Sequence, residues 1–283
     1  MTATRRFSTA SGRGIFQKYG LTVQPTLINS GAAAAAALIG GTADVAYTNI
    51  TTLITAHNKN IPMQILAPGA LFNAGAKLTT AILTLTSGPV RSGRDLNGKT
   101  VGSVSLGDTM AASIQAWIDQ NGGDSKTVKI VEVPASAVVQ MLEEGRVSAA
   151  AVNEPAVTQA LATGKTRALA NPNAAIAKTF LQAAFAVMGP AADKNPEGMR
   201  RFAQAIHESS LYTNTHLAAT VELVAEYSGI APDVVARSAR FTDAEYAEPA
   251  IVEPVIDVLS KYGIIDRRFP IADIISPYAL KRR

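Results

Sequence analysis

Two stretches of this chain, offset by 104 residues, follow one pattern. ALIGGTADVAYTNI (37–50) lies over MLEEGRVSAAAVNE (141–154), so Leu38 meets Leu142, Gly41 meets Gly145, Asp44 meets Ser148 and Asn49 meets Asn153. Each copy reads as a helix end, a glycine stop, a short strand and an asparagine just past it. Glycine suits the stop because a helix C-terminus often needs a left-handed residue. The letters alone match weakly. The same order of elements surrounds both copies, and that predicts two similar α/β units.

The elements alternate throughout. LTVQPTLIN (21–29) reads as a strand, and Ser30 caps a helix over Gly31–Ile39 that Gly40-Gly41 ends. DVAYTN (44–49) is a short strand, followed by a helix over 51–58 and strands at 62–71 and 78–88. In the second half, 94–105 reads as a turn feeding a strand, further strands are expected at 127–133, 147–153 and 182–189, and helices at 110–120 and 136–144. Amphipathic helices dominate beyond Asn195.

AILTLTSGP (81–89) and AAFAVMGP (183–190) are both strand-like and both end in Gly-Pro. They are expected to lie side by side as a two-strand hinge. The reading is an α/β chain of two lobes: residues 1–85 and 188–283 form a discontinuous lobe one, carrying the C-terminal helices, and 86–187 form lobe two. A cleft between two α/β lobes is a recurrent place for a small ligand.

Composition narrows the function classes. The absence of cysteine removes disulfides, thiolate metal sites and a thiol nucleophile. No apolar run reaches the roughly 20 residues needed to span a bilayer. Residues 1–85 carry six Lys/Arg against one acid, net +5, whereas 185–283 carry eleven against thirteen, net −2. A positive first third favours anionic ligands, although scattered solvated charges give the same count. No basic stripe interleaved with aromatics points to nucleic acid. MTATRRFSTASG has twin arginines with no apolar segment of 7–15 residues after them. An export signal is therefore expected upstream or already removed, unless the protein is cytoplasmic.

GIFQKYGLTV (14–23), ALIGGTADVAY (37–47), DLNGKTVG (95–102) and LEEGRVSAAAVNEP (142–155) occur in an order and spacing that resemble one family. They are similar to the type II solute-binding proteins of ABC importers in the nitrate/sulfonate/taurine group, to which thiamine-pyrimidine synthases are related. The resemblance runs from about Gly14 to Gly229. Ser148 departs from it, standing where the second motif has aspartate. The resemblance implies two lobes that close on a small organic anion (a sulfonate, nitrate or carboxylate) and then meet a membrane permease. It also implies a periplasmic monomer without cofactor or catalytic activity. The alternative is a cytoplasmic enzyme or ligand sensor on the same fold.

In α/β units, ligands meet the C-terminal ends of strands and the helix N-termini that follow. In lobe one this selects Asn29, Ser30, Gly31, Tyr47, Thr48 and Asn49. In lobe two it selects Ser105, Gly107, Asp108, Thr109, Pro134, Ser136, Asn153 and Glu154. Backbone N–H groups at 31–33 and 109–111 would hold an anionic head, and the alanines of the first helix leave that approach open. Other roles are open to the same residues. Ser30 and Asp108 serve as N-caps, Tyr47 serves as a core residue with a bonded hydroxyl, and Asn49 and Asn153 make turns. Glu154 either caps the next helix or binds a ligand amine. His57, His207 and His216 fall in unrelated segments with no metal-binding spacing, so no metal site is expected. Nor is there a phosphate-binding glycine loop with its lysine, or a G-x-S-x-G elbow.

Overall fold

The computed structural model describes residues 10–26, 30–228, 231–237, 239 and 241–282. After the short helix α1 (Ile15–Lys18), residues 21–26 run without regular structure, where a strand was expected. Pro25 cannot donate to a ladder; Leu21 and Val23 instead pack against Phe16, Phe185 and Phe202. Asn29 lies outside the described residues. Helix α2 (Gly31–Ile39), strand β1 (Ala46–Asn49), helix α3 (Ile50–Asn58) and strands β2 (Met63–Pro68) and β3 (Ala70–Asn73) complete the first pass.

The second pass runs through β4 (Thr80–Leu85), β5 (Thr100–Ser103), α4 (Thr109–Gln120) and β6 (Lys129–Glu132). It continues with α5 (Val138–Glu143), β7 (Ala149–Asn153), α6 (Ala156–Ala162), β8 (Thr166–Ala170) and β9 (Thr179–Leu181). The chain then returns through β10 (Ala183–Met188), α7 (Gly189–Ala192) and α8 (Pro196–Thr215). It closes with α9 (Val221–Ser228), α10 (Pro232–Arg237), β11 (Thr242–Asp243) and α11 (Pro249–Lys261).

The offset repeat is a structural repeat. Gly41 and Gly145 take φ of 70° and 69°, in the left-handed region where glycine has no steric cost. Their turns share one hydrogen-bond scheme. Gly41 N donates to Leu38 O and Thr42 N to Ala37 O, as Gly145 N donates to Leu142 O and Arg146 N to Met141 O. Each turn feeds a strand, β1 or β7, that ends in asparagine.

The strands fall into separate sheets. β10 runs antiparallel between β1 and β2, and a five-stranded sheet has the order β6-β5-β7-β4-β8. β5, β6 and β7 are parallel, with β4 antiparallel between β7 and β8. This corrects the expected hinge. β4 and β10, the two Gly-Pro strands, belong to different sheets and do not pair. β3 instead pairs antiparallel with β9, in the register Leu71↔Leu181, Phe72↔Phe180 and Asn73↔Thr179, in a three-stranded sheet completed by β11. β4 lies in the five-stranded sheet with β5 to β8, and β10 in the sheet of β1 and β2. β4 and β10 look alike in sequence because both are buried on both faces over nearly their whole length.

Helix α11 packs on the first unit through Val252, Val255, Ile256 and Leu259, all buried. Ala112 and Ala116 of α4, from the second unit, are buried in that same cluster. Their small side chains let α4 approach α11 closely, so the two units share apolar surface beside the β3–β9 pair.

Candidate ligand-binding site

Three helix N-termini meet where the units face each other. At the first, Ser30 is extended (φ −149°, ψ 155°) and its Oγ accepts from Ala33 N at 3.1 Å. Gly31 follows, packed against the start of α3. A Cβ built on Gly31 would stand 2.6 Å from Thr52 Oγ1, 3.0 Å from Asn49 Nδ2 and 3.0 Å from Thr48 Oγ1. Glycine at 31 therefore lets α2 start in close contact with a cradle of hydroxyl and amide groups that a Cβ would push apart.

Asn49 caps α3: its Oδ1 accepts from Thr52 N at 2.7 Å and from Thr52 Oγ1 at 2.8 Å. The Asn49 amide N–H groups thus point toward Gly31. Thr48, one residue earlier, is 3% exposed, and its Oγ1 has no hydrogen-bond partner. Burying an unpaired hydroxyl costs about 1–3 kcal/mol, so this atom stands out in the cradle.

The second unit closes on the same place. Thr51 Oγ1, on the first turn of α3, lies 2.6 Å from Thr109 Oγ1, the first residue of α4. At the start of α4, Asp108 Oδ1 accepts from Met110 N at 2.9 Å and Ala111 N at 3.4 Å, and its Oδ2 accepts from Ser105 Oγ at 2.5 Å. Two of the three backbone donors expected there for an anion are therefore already engaged by Asp108. Ser30 likewise holds Ala33 N.

The other selected residues are distributed as follows. Tyr47 is a core residue: its ring meets Phe185 edge-on at 5.0 Å, and its hydroxyl accepts from Ala70 N at 3.3 Å. Asn153 is exposed at the end of β7 and accepts from Thr80 Oγ1 at 2.8 Å. Glu154 caps α6, its two carboxylate oxygens accepting from Thr158 N at 3.0 Å and Thr158 Oγ1 at 2.8 Å. Gly31, Thr48 and Asn49 thus lie together, while Thr109 meets the start of α3 through Thr51, with Ser105 and Asp108 on the loop before it.

Sequence reasoning missed Thr51 and Thr52, which complete the cluster. The available signal was Asn49 as an N-cap, since a cap orients the next three residues around the helix start. The cluster is built from hydroxyls, an amide and helix starts. His57 lies against Phe269, His207 against Tyr246 and His216 against Tyr212, so each histidine has separate surroundings. Among the described residues, no group of three or more His, Cys, Asp or Glu could hold a metal.

A second contact joins the units farther along α4. Tyr262 OH donates to Asp119 Oδ2 at 2.8 Å, and Ser125 N donates to Asp119 Oδ1 at 2.8 Å. Burial opposes ionisation of Asp119, but these donors outweigh it and hold the carboxyl below its ordinary range. Burial, and then the bond to Asp119, push the Tyr262 hydroxyl up.

Residues 5–217 match the NMT1/THI5-like family. The chain belongs to that family. No curated protein matches it by sequence. As an NMT1/THI5-like protein it superposes on solved structures over nearly its whole length. The periplasmic aliphatic sulphonate-binding protein SsuA from Escherichia coli has a TM-score of 0.77 and 16% identity, covering 99% of this chain and 91% of that one. The alkanesulfonate-binding protein SsuA from Xanthomonas axonopodis, bound to MOPS, has a TM-score of 0.73 and 15% identity, covering 97% and 94%. The desulfurization enzyme DszB shares the fold at a TM-score of 0.67 and 12% identity, covering 96% and 94%. At these identities the likeness establishes the periplasmic-binding-protein fold. No described helix is long and apolar enough to cross a membrane.

Proposed function

We propose that this protein is the solute-binding component of an ABC importer, working in the periplasm as a monomer. It captures a small organic anion, such as a sulfonate, nitrate or carboxylate, between its two lobes and delivers it to a membrane permease. The lobes meet at the β3–β9 pair. The anionic head sits in the cradle of Gly31, Thr48, Asn49, Thr51, Thr52 and Thr109, with Ser30, Ser105 and Asp108 setting the helix starts around it.

The observation that carries this reading is the buried, unpartnered Thr48 hydroxyl among the hydroxyl and amide groups packed against Gly31. A buried donor without a partner in the chain suits an oxygen supplied from outside it. Helix starts add partial positive charge where the oxygen would sit. Because Thr51 and Thr109 come from different lobes and bond directly to each other beside the cradle, an anion held there links binding to closure, which changes the shape shown to a permease. Binding rather than catalysis is supported by the separate settings of the three histidines and the lack of a thiol.

The test is calorimetric titration of sulfonates, nitrate and short carboxylates against the wild type and Gly31→Ala. Wild-type protein should take up at least one of these anions, and Gly31→Ala should weaken it at least tenfold. Equal affinity in the two proteins would move the head elsewhere, and no binding of any anion would end the reading.

A further inference from the structure

The five-stranded sheet sorts charge along its strands. Residues 86–184 hold nine Lys/Arg and eight Asp/Glu, nearly neutral as a sequence. In the fold, β5, β6, β7 and β8 all start at one rim of the sheet, where β4 ends. Lys129 N donates to Lys99 O at 3.0 Å along this rim, Ser148 N to Thr100 O at 2.8 Å and Thr86 N to Lys165 O at 2.8 Å. Of the nine cations, all but Lys178 stand at this rim or on the segments that enter it. Three of the acids, Asp108, Glu132 and Glu154, stand instead at the opposite ends of β5, β6 and β7, where β5 leads to Thr109.

The five acids on the cationic side are already engaged. Glu143 pairs with Lys165 at 2.8 Å and Glu144 with Arg146 at 2.7 Å. Asp95 accepts from Arg91 N and Ser92 N, Asp119 from Ser125 N and Tyr262 OH, and Asp124 from Lys126 N. Arg91, Arg94, Lys99, Lys126, Lys129 and Arg167 are left without an ion pair among the described residues. Two of these guanidinium groups converge on one carbonyl. Arg91 Nη1 donates to Val90 O at 3.0 Å, and Arg167 Nη2 donates to the same oxygen. Like charges held together with no carboxylate at ion-pair distance attract an anion from outside the chain.

We infer that this rim is a docking surface for a bilayer of anionic lipids. A protein partner would call for an apolar anchor at the centre of the contact. The strongly exposed large hydrophobics among the described residues are Ile39, Leu106, Leu211 and Leu217, and none lies on the rim. A single-stranded nucleic acid would call for exposed aromatics, but the one aromatic residue between 86 and 170 is Trp117, which is buried. Long cationic side chains on a line of strand starts suit a fluid plane of phosphates, which needs no fixed geometry from its partner. Docked in this way, the protein turns the opposite rim and Thr109 away from the bilayer, so ligand access is not blocked.

The experiment is co-sedimentation of the ligand-free protein with vesicles of phosphatidylcholine, alone or with about one third phosphatidylglycerol. It compares wild type with a rim variant (Arg94→Gln, Lys99→Gln, Lys126→Gln, Lys129→Gln) and a control (Lys59→Gln, Lys77→Gln, Lys178→Gln, Lys194→Gln). Both variants lower the formal net charge from +4 to zero, and all eight side chains are exposed. A difference between them therefore reads where the charge sits. Wild type should bind the phosphatidylglycerol vesicles, ignore pure phosphatidylcholine and dissociate in about 0.5 M NaCl. Each rim cation near the surface contributes about fivefold, so the rim variant should bind at least tenfold more weakly, with the control within twofold of wild type. The inference is overturned if wild type ignores anionic vesicles, if the rim variant binds as wild type does, or if the control loses as much. Binding of an oligoglutamate peptide without binding of vesicles would also overturn it, in favour of an acidic protein segment.

Discussion

Replacing Thr48 by valine should raise stability and lower affinity together. Valine is nearly the shape of threonine, so the swap exchanges one buried hydroxyl for a methyl and leaves the packing around β1 in place. Thr48 Oγ1 has no partner and the residue is 3% exposed, so the folded, ligand-free protein bears the desolvation cost of that hydroxyl. Removing it returns about 1–2 kcal/mol, which for a chain of this size raises the melting temperature by roughly 2–6 °C. In the complex the sign reverses. A hydrogen bond from Thr48 to a charged oxygen is worth about 1.5–3 kcal/mol, so affinity should fall by roughly 10- to 150-fold. Thermal melting without ligand reads the first effect, and titration calorimetry with the best-bound anion reads the second. A variant less stable than wild type would show that the hydroxyl is satisfied in the folded protein. Unchanged affinity would show that it does not touch the anion. Either result removes the observation on which the functional reading stands.

Other perturbations separate the site from its supports. Gly31→Ala should change stability by about 1 kcal/mol or less, since the helical gain of alanine offsets the displacement of Thr52 Oγ1; ligand-free melting measures this independently of binding. Tyr262→Phe should cost about 1 kcal/mol at neutral pH by removing the bond to Asp119 across the two units, as denaturant unfolding would record. Because the folded pKa of Asp119 is depressed from its ordinary 3.8, its contribution is present above that value and is lost as pH falls through the lower folded one. The difference between wild type and Tyr262→Phe should therefore shrink below about pH 4, and a difference constant down to pH 2 would refute the pairing. Glu154→Gln should leave anion affinity within twofold, because both carboxylate oxygens serve Thr158; a tenfold loss in titration would return Glu154 to the ligand.

The sequence carried the local events. Gly41 and Gly145 stop their helices with the same two hydrogen bonds, and Ser30, Asn49 and Asp108 cap α2, α3 and α4, because turns and caps depend on residues within a few positions of one another. The fold class followed from the order of those events, and the family from motifs that lie on them. Pairing between distant strands was settled only in three dimensions. β4 and β10 look alike as sequence yet lie in different sheets, since burial on both faces erases the alternation that distinguishes one strand's neighbours from another's. Side-chain direction was likewise tertiary. Tyr47 and Thr48 are adjacent, but the pleat sends Tyr47 toward Phe185 and Thr48 toward Gly31. The sequence by itself determined that helix starts and small polar residues would follow the strand ends. Only the tertiary structure decided that Thr51 and Thr109, 58 positions apart, would meet there, because that distance is set by how α4 seats Ala112 and Ala116 against α11.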